Sequence, residues 1–208
     1  MTIVIKQAAP SDAADLAHIH VACLPEDFLP SLGAGFMEKQ YYPAALASTN
    51  ALTFMAMDGE RPVGFVTVAS DSYAFSRDAM RGRIAALARH AILRALRQPS
   101  HLLLSAQVLL AATKPRTHEF SGEIVFIGVI PGIRRQGVGR RLIAAAMAFL
   151  QNIPVRRCRT KTLARNLNVI GLYQSLGWQI VDRFTLIGND YVTLLSPQEH
   201  RELGVDQE

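Results

Sequence analysis

Alternation of apolar and polar positions divides the chain into strand-like and helix-like stretches. Residues 3–8 hold two isoleucines and a valine in a short β-favouring run. Ser11-Asp12 then supplies a helix start, and Ala14, Leu16, Ala17, Ile19 and His20 carry the helix to Cys23. A second helix is expected from Pro30 to Tyr41, with Pro43 as its break. Residues 51–57 and 62–69 read as strands joined by Asp58-Gly59-Glu60-Arg61, and Asp-Gly between two apolar runs signals a hairpin.

From Ser76 to Gln98, Ile84, Leu87, Ala88, Ala91, Ile92 and Ala95 recur at helical spacing, while Arg81, Arg89, Arg94 and Arg97 lie mostly on other faces. Pro99 interrupts, and Ser100 to Ala112 predicts a second, mostly apolar helix. Glu123 to Ile130 is a nearly continuous apolar strand, as a central position in a sheet requires. Pro131-Gly132 ends it, and a glycine loop leads into a helix from Val138 to Gln151 with Leu142, Ala146, Phe149 and Leu150 on one side. Residues 156–163 form a strand, and Asn166 to Leu176 a helix stopped by Gly177. Trp178–Thr185 and Tyr191–Leu195 are two last strands, a hairpin through Gly188-Asn189-Asp190. This order predicts a mixed α/β layer fold (α+β) with part of its sheet antiparallel, one domain over 1–208 and a helical insert at 71–121.

Composition adds little to that class. Half of the 208 residues are hydrophobic and 19% are charged, as a chain with a sizeable core requires. A net charge of +5 suits an anionic partner without choosing among nucleic acid, an acidic membrane surface and a polyphosphate. The insert alone holds eight Lys and Arg against three Asp and Glu, a surplus equal to that of the whole chain. Cys23 and Cys158 lack CxxC spacing and read as two reduced thiols. The first residues show no signal-peptide pattern, and the apolar run from Leu102 to Ala112 is too short to span a bilayer. A cytoplasmic protein without a membrane span is expected.

The chemistry concentrates at Arg134-Arg135-Gln136-Gly137-Val138-Gly139. A strand passing through Gly-x-Gly into a helix start offers unpaired backbone N–H groups and the positive end of the helix dipole, with Arg134, Arg135, Arg140 and Arg141 adding charge. Two nucleotide motifs fail here. Gly132 and Gly137 have Walker A spacing, but Val138 and Gly139 stand where Lys and Ser/Thr are required. A dinucleotide fingerprint would need a small residue at Leu142 and an acid at the end of the next strand.

Val129-Ile130-Pro131-Gly132-Ile133-Arg134-Arg135-Gln136-Gly137-Val138-Gly139 resembles the V-x-P-x-x-R-x-x-G-x-G signature of the GNAT (GCN5-related N-acetyltransferase) family. Asn166, Tyr173 and Leu176-Gly177-Trp178 are similar to its second motif, N-x-x-A-x-x-x-Y-x-x-L-G-F, with Val169 for the usual Ala and Trp178 for the usual Phe. Clear resemblance covers residues 122–195, and the first 70 agree in element order only. It implies a GNAT fold with a mixed central sheet of about seven strands, the insert falling between strands three and four. The activity implied is N-acetyl transfer from acetyl-CoA to a primary amine by direct attack in a ternary complex.

The resemblance also implies the site. The pyrophosphate sits on Arg134 to Gly139 and Arg140, pantetheine pairs with main chain near Ile127 to Val129, and Asn166 faces the cofactor besides capping its helix. Tyr173 matches the tyrosine that protonates the departing sulfur, although a phenol of pKa about 10 needs local help to serve a thiolate of pKa near 8.5. Glu123 is the candidate general base: alternation puts it on the side of Val125, Ile127 and Val129, and an apolar strand should raise its pKa. His118 and Glu119 are fallback bases. Phe28, Phe36, Tyr41 and Tyr42 are candidates for the acceptor wall.

No histidine pair has metal-ligand spacing beyond His18-x-His20, which a helix points in different directions, so no metal is expected. The arginines of residues 76–98 read as the solvated face of amphipathic helices covering a sheet edge or a partner copy in a homodimer, in preference to a lid recruiting an anionic acceptor. The expected acceptor is a small molecule such as an amino sugar or amino acid. The alternatives are a protein amine and a non-catalytic acyl-CoA-binding module. Nucleic acid is disfavoured, because no aromatic residues interleave with the basic ones.

Overall fold

The computed structural model describes residues 2–25, 27–81, 122–153, 157–186 and 188–197. The insert helices expected beyond residue 81, with His118 and Glu119, lie outside the described residues, as does the side chain of Phe28.

Seven strands form one sheet: β1 (Ile3–Gln7), β2 (Ala51–Asp58), β3 (Arg61–Ala69), β4 (Gly122–Val129), β5 (Cys158–Leu163), β6 (Gln179–Leu186) and β7 (Asn189–Leu195). Their order is β1-β2-β3-β4-β5-β7-β6, and β4–β5 is the parallel pair in an otherwise antiparallel sheet. The hairpin read at Asp58-Gly59 joins β2 to β3, with Gly59 at φ +60, where glycine is unstrained. Asn189 and Asp190, expected in the last turn, belong instead to β7 and pair with Leu186 and Thr185.

Helices cover both faces. On one lie α1 (Ala13–Cys23), α2 (Phe28–Ser31), α3 (Ala34–Phe36), α4 (Tyr42–Ala47) and α5 (Ser72–Met80), packed around Leu16, Met37, Met55 and Phe65. On the other lie α6 (Val138–Gln151) and α7 (Leu167–Gln174). Val138, Leu142, Ile143, Ala146 and Leu150 recur at helical spacing and bury one stripe of α6, each large side chain worth roughly 1.5–3 kcal/mol.

The helix expected from Pro30 to Tyr41 is broken into pieces. Gly33, at φ +96, separates α2 from α3, and Met37–Tyr41 forms a π-helical turn running into α4. Pro43 lacks an N–H and its ring crowds the carbonyl four residues back; a wider turn relieves the clash, so the helical path continues where a break was expected. Residues 82–98 of the helix expected over Ser76 to Gln98 lie outside the described residues; a helix begins at Ser72, ahead of that expectation, and ends at Met80. Asp71 caps it, its Oδ1 accepting from Tyr73 N at 2.9 Å and Ala74 N at 3.0 Å.

Candidate active site

Among the described residues, β4 and β5 pair at Gly122–Cys158, Glu123–Arg159 and Ile124–Thr160. Beyond that crotch the strands part, while β3 continues along the other side of β4 and β7 along the other side of β5. The backbone groups of Val125 to Val129 that face the gap therefore have no partner strand, a strip of donors and acceptors available to a ligand. A cleft of about 420 Å³ opens there, walled by Phe126 and Ile127 of β4, Thr160 to Leu163 of β5, Asn166 and Val169 near α7, and the end of α1 from Ala22 to Pro25.

A bulge sets the direction of the β4 side chains. Thr67 opposes Phe126 and Val68 opposes Ile124, leaving Val125 unopposed. Val125 and Phe126 consequently both pack on the α1 side, while Ile127 and Val129 turn to the α6 side. Simple alternation from Glu123 to Val129 does not survive this residue.

At the open end, Arg134 Nε donates to Val129 O at 2.9 Å and folds the loop back on its strand. Arg135 and Gly137 take left-handed backbones, φ 62 and φ 79. The first helical bond runs from Arg141 N to Gly137 O, so the N–H groups of Val138, Gly139 and Arg140 have no acceptor within α6. Arg134, Arg135, Gln136 and Gly137 are exposed around them. At Gly139 the missing side chain serves packing. A Cβ there would come within 2.9 Å of Leu172 Cδ2, so its bareness lets α7 approach α6. Arg140 is turned toward α7, its Nη2 donating to Ser175 Oγ at 3.1 Å.

At the crotch, Thr160 Oγ1 donates to Ile124 O at 3.0 Å. Tyr173 lies beneath it, fully buried, its ring centroid 4.7 Å from that of Trp178. Its hydroxyl makes no hydrogen bond of good geometry among the described residues. Burial holds the phenol above its ordinary pKa, and the nearby Thr160 hydroxyl offsets only part of the shift. Burial acts on thiols here as well, pushing Cys158 up to about 12 and Cys23 up to about 11. Both cysteines are free thiols.

Asn166 takes the N-cap position of α7, yet its side chain makes no capping bond. Its main-chain carbonyl accepts from Val169 N and Ile170 N, both at 3.1 Å, and the residue lines the cleft.

Glu123 stands on the α1–α5 face. Arg159 Nη2 lies 2.8 Å from Oε2 and Lys161 Nζ lies 3.3 Å from Oε1. Burial pushes the carboxyl up, but Lys161 and Arg159, with hydrogen bonds from Ser72 and Arg159, more than offset it and hold its pKa below the usual value. The raised pKa expected from an apolar strand is thus reversed, because β5 brings two cations that no reading of β4 alone could reveal.

The proposed aromatic wall is also repositioned. Phe36, Tyr41 and Tyr42 are core residues, and Phe126 is the aromatic ring of β4 that lines the cleft, backed edge-on by Tyr41 at 6.4 Å. Behind it His20 is fully buried among Tyr42, Phe65 and Phe126, its Nδ1 sharing a proton with Tyr42 Oη at 2.8 Å. His18 is exposed on the same helix. Among the described residues no group of three His, Cys, Asp or Glu could hold a metal, and no helix is long and apolar enough to cross a membrane.

A mixed sheet parted at its parallel pair, with a glycine-capped helix at the open end of the gap, defines an acyltransferase-type layout. The chain belongs to the acetyltransferase (GNAT) family, whose model matches residues 14–178. No curated protein matches it in sequence. Solved structures are similar in fold. One is NAA60 of Arabidopsis thaliana in complex with a bisubstrate analogue, 19% identical, covering 93% of this chain and 97% of that one at a TM-score of 0.58. The ribosomal-protein-S18-alanine N-acetyltransferase of Escherichia coli is 15% identical, with coverage of 95% and 94% and a TM-score of 0.58. The PaiA N-acetyltransferase of Thermoplasma acidophilum, in complex with coenzyme A, is 12% identical, with coverage of 94% and 99% and a TM-score of 0.62.

Proposed function

We propose that this acetyltransferase moves an acetyl group from acetyl-CoA to a primary amine on a small molecule, by direct attack in a ternary complex. The observation that carries the reading is the parting of β4 from β5 in line with the α6 N-terminus. Pyrophosphate fits the bare N–H groups of Val138, Gly139 and Arg140, with Arg134, Arg135 and Gln136 around it. Pantetheine fits the open edge of β4 at Ile127 and Val129, with Asn166 on the facing wall. Tyr173 lies beneath Thr160, which lines the cleft, and a thioester sulfur reaching the crotch past Thr160 would offer its hydroxyl an acceptor.

In the step itself the amine nitrogen attacks the thioester carbon, the C–N bond forms and the C–S bond breaks. The sulfur leaves with its electron pair and takes the Tyr173 proton, which the tyrosine recovers from water. In bulk water the transfer from phenol to thiolate runs uphill by about 1.5 pKa units. Burial at this crotch raises the Cys158 thiol as it raises the phenol, so it does not close that gap, and the transfer depends on where the hydroxyl is held relative to the sulfur. Glu123 is a weak base in this setting, because its charge is already shared by two cations. Water in the open cleft takes the amine proton more readily, and Glu123 anchors Lys161 and Arg159.

Acetyl-CoA should raise the melting temperature, and amines should release its free thiol. The absence of both at millimolar acetyl-CoA, with the chain folded, refutes the reading. Tyr173→Phe should lower kcat by at least tenfold while leaving the thermal shift in place. An unchanged kcat removes Tyr173 from the chemistry. A second reading, a peptide N-terminus as acceptor, draws on neighbours named for protein substrates.

A further inference from the structure

The gap between β4 and β5 opens to both faces of the sheet, and the two faces carry different chemistry. Thr160, Tyr173 and Asn166 lie toward α6 and α7, the side of the glycine cradle. Alternation along β5 and β7 puts Arg159, Lys161, Tyr191 and Thr193 on the other face, since Cys158, Val192 and Leu194 pack on the α6 side. That second face is also bounded by Leu24, Pro25 and Phe126. With the donor held from the first face as proposed, this second face is the one left to an acceptor.

Lys161 lines the cleft one residue beyond the crotch. Its side chain is 25% exposed and lines the cleft, with Nζ 3.3 Å from Glu123 Oε1. Glu123 fixes it from behind, and Arg159 holds the other carboxylate oxygen, so the carboxylate cannot turn away. A pinned ammonium beside a reaction centre does two things. It attracts a carboxylate on the incoming molecule, and its like charge disfavours the protonated form of a nearby amine. Asp27 lines the same cleft and acts electrostatically on Tyr191, whose β-register is two residues from Lys161.

We propose that Lys161, anchored by Glu123, binds a carboxylate on the acceptor, and that the acceptor class is a free amino acid rather than a peptide N-terminus. This rests on acetyl transfer to an amine as proposed above. In an α-amino acid the amine is separated from its carboxylate by one carbon, which suits a cation one residue from the crotch.

The test compares free α-amino acids with their carboxamides as acceptors of acetyl from acetyl-CoA. The carboxamide has the lower amine pKa and so reacts more readily in solution, which makes any preference for the acid informative. For the accepted amino acid, kcat/KM should exceed that of its amide at least tenfold, mainly through KM. Lys161→Gln should collapse that ratio toward unity, and Lys161→Arg should keep most of it. Acetyl-CoA-induced stabilisation of each variant verifies folding and donor binding.

Equal rates for acid and amide, or faster transfer to the amide, overturn the inference and leave acetyl transfer standing. A preference for the acid that persists in Lys161→Gln overturns the role of Lys161. If neither series accepts acetyl while acetyl-CoA still stabilises the chain, the acceptor class is wrong and donor binding survives.

Discussion

Replacing Glu123 with Gln tests whether that carboxylate is an anchor or a base, since the two roles move different observables. Glu123, Arg159 and Lys161 have side-chain exposures of 10%, 12% and 25%. Breaking a fully buried ion pair by removing one partner costs about 3–5 kcal/mol. Lys161 retains some water and Gln keeps one acceptor oxygen, so about 2–3 kcal/mol is expected here. For a chain of this size that is a loss of about 5–10 °C in melting temperature.

The loss should depend on pH. Because the folded pKa is depressed, Glu123 contributes fully above its unfolded pKa, and the contribution fades as pH falls through the lower folded value. The gap between wild type and Glu123→Gln should be full at pH 7 and shrink below about pH 4. Urea denaturation at both pH values measures it. In the pH–rate profile an anchor leaves the ascending limb in place, whereas a base takes the limb with it. A stability loss below about 1 kcal/mol at pH 7, or loss of the ascending limb alone, refutes the anchoring account.

Two further substitutions probe the frame. His20 is held down to about 3 by burial, from an ordinary 6.5, so the unfolded chain binds a proton that the folded one refuses. Stability should fall by up to about 1.4 kcal/mol per pH unit as pH drops from 6.5 toward 3. His20→Gln should flatten that slope in denaturation curves at several pH values, and an unchanged slope assigns it to other groups. Gly137→Val forces a β-branched residue to φ 79, at about 1–2 kcal/mol, and weakens acetyl-CoA binding by calorimetry. Unaltered affinity would separate the left-handed turn from donor binding.

Much of the fold was legible because local signals and tertiary structure agree. Asp58-Gly59 made its hairpin, the apolar β4 run lies centrally, and Gly177 ends the α7 region at φ 80. Asp71 is a capping residue type at the start of α5, but the apolar period is clearest further on, which shifts the expected start to Ser76. Other features depend on partners distant in sequence. The charge state of Glu123 is set by Arg159 and Lys161, more than thirty residues away. The bulge at Val125 arises in the pairing with β3, so no count along β4 alone could place it. Tyr41 and Tyr42 read as site aromatics because a helix pattern does not say which layer a ring enters; the π turn sends both into the core.

Among the described residues, three residue pairs join β4 to β5 as the seam between a four-stranded panel, β1 to β4, and a three-stranded one, β5 to β7. Mechanically the sheet is a hinge with a short knuckle. A pantetheine chain laid along the open edge would act as a stitch, lengthening the seam from within. Donor binding would then stiffen the two panels against each other before any acceptor arrives, and the acceptor would meet a wall whose spacing the donor has already set.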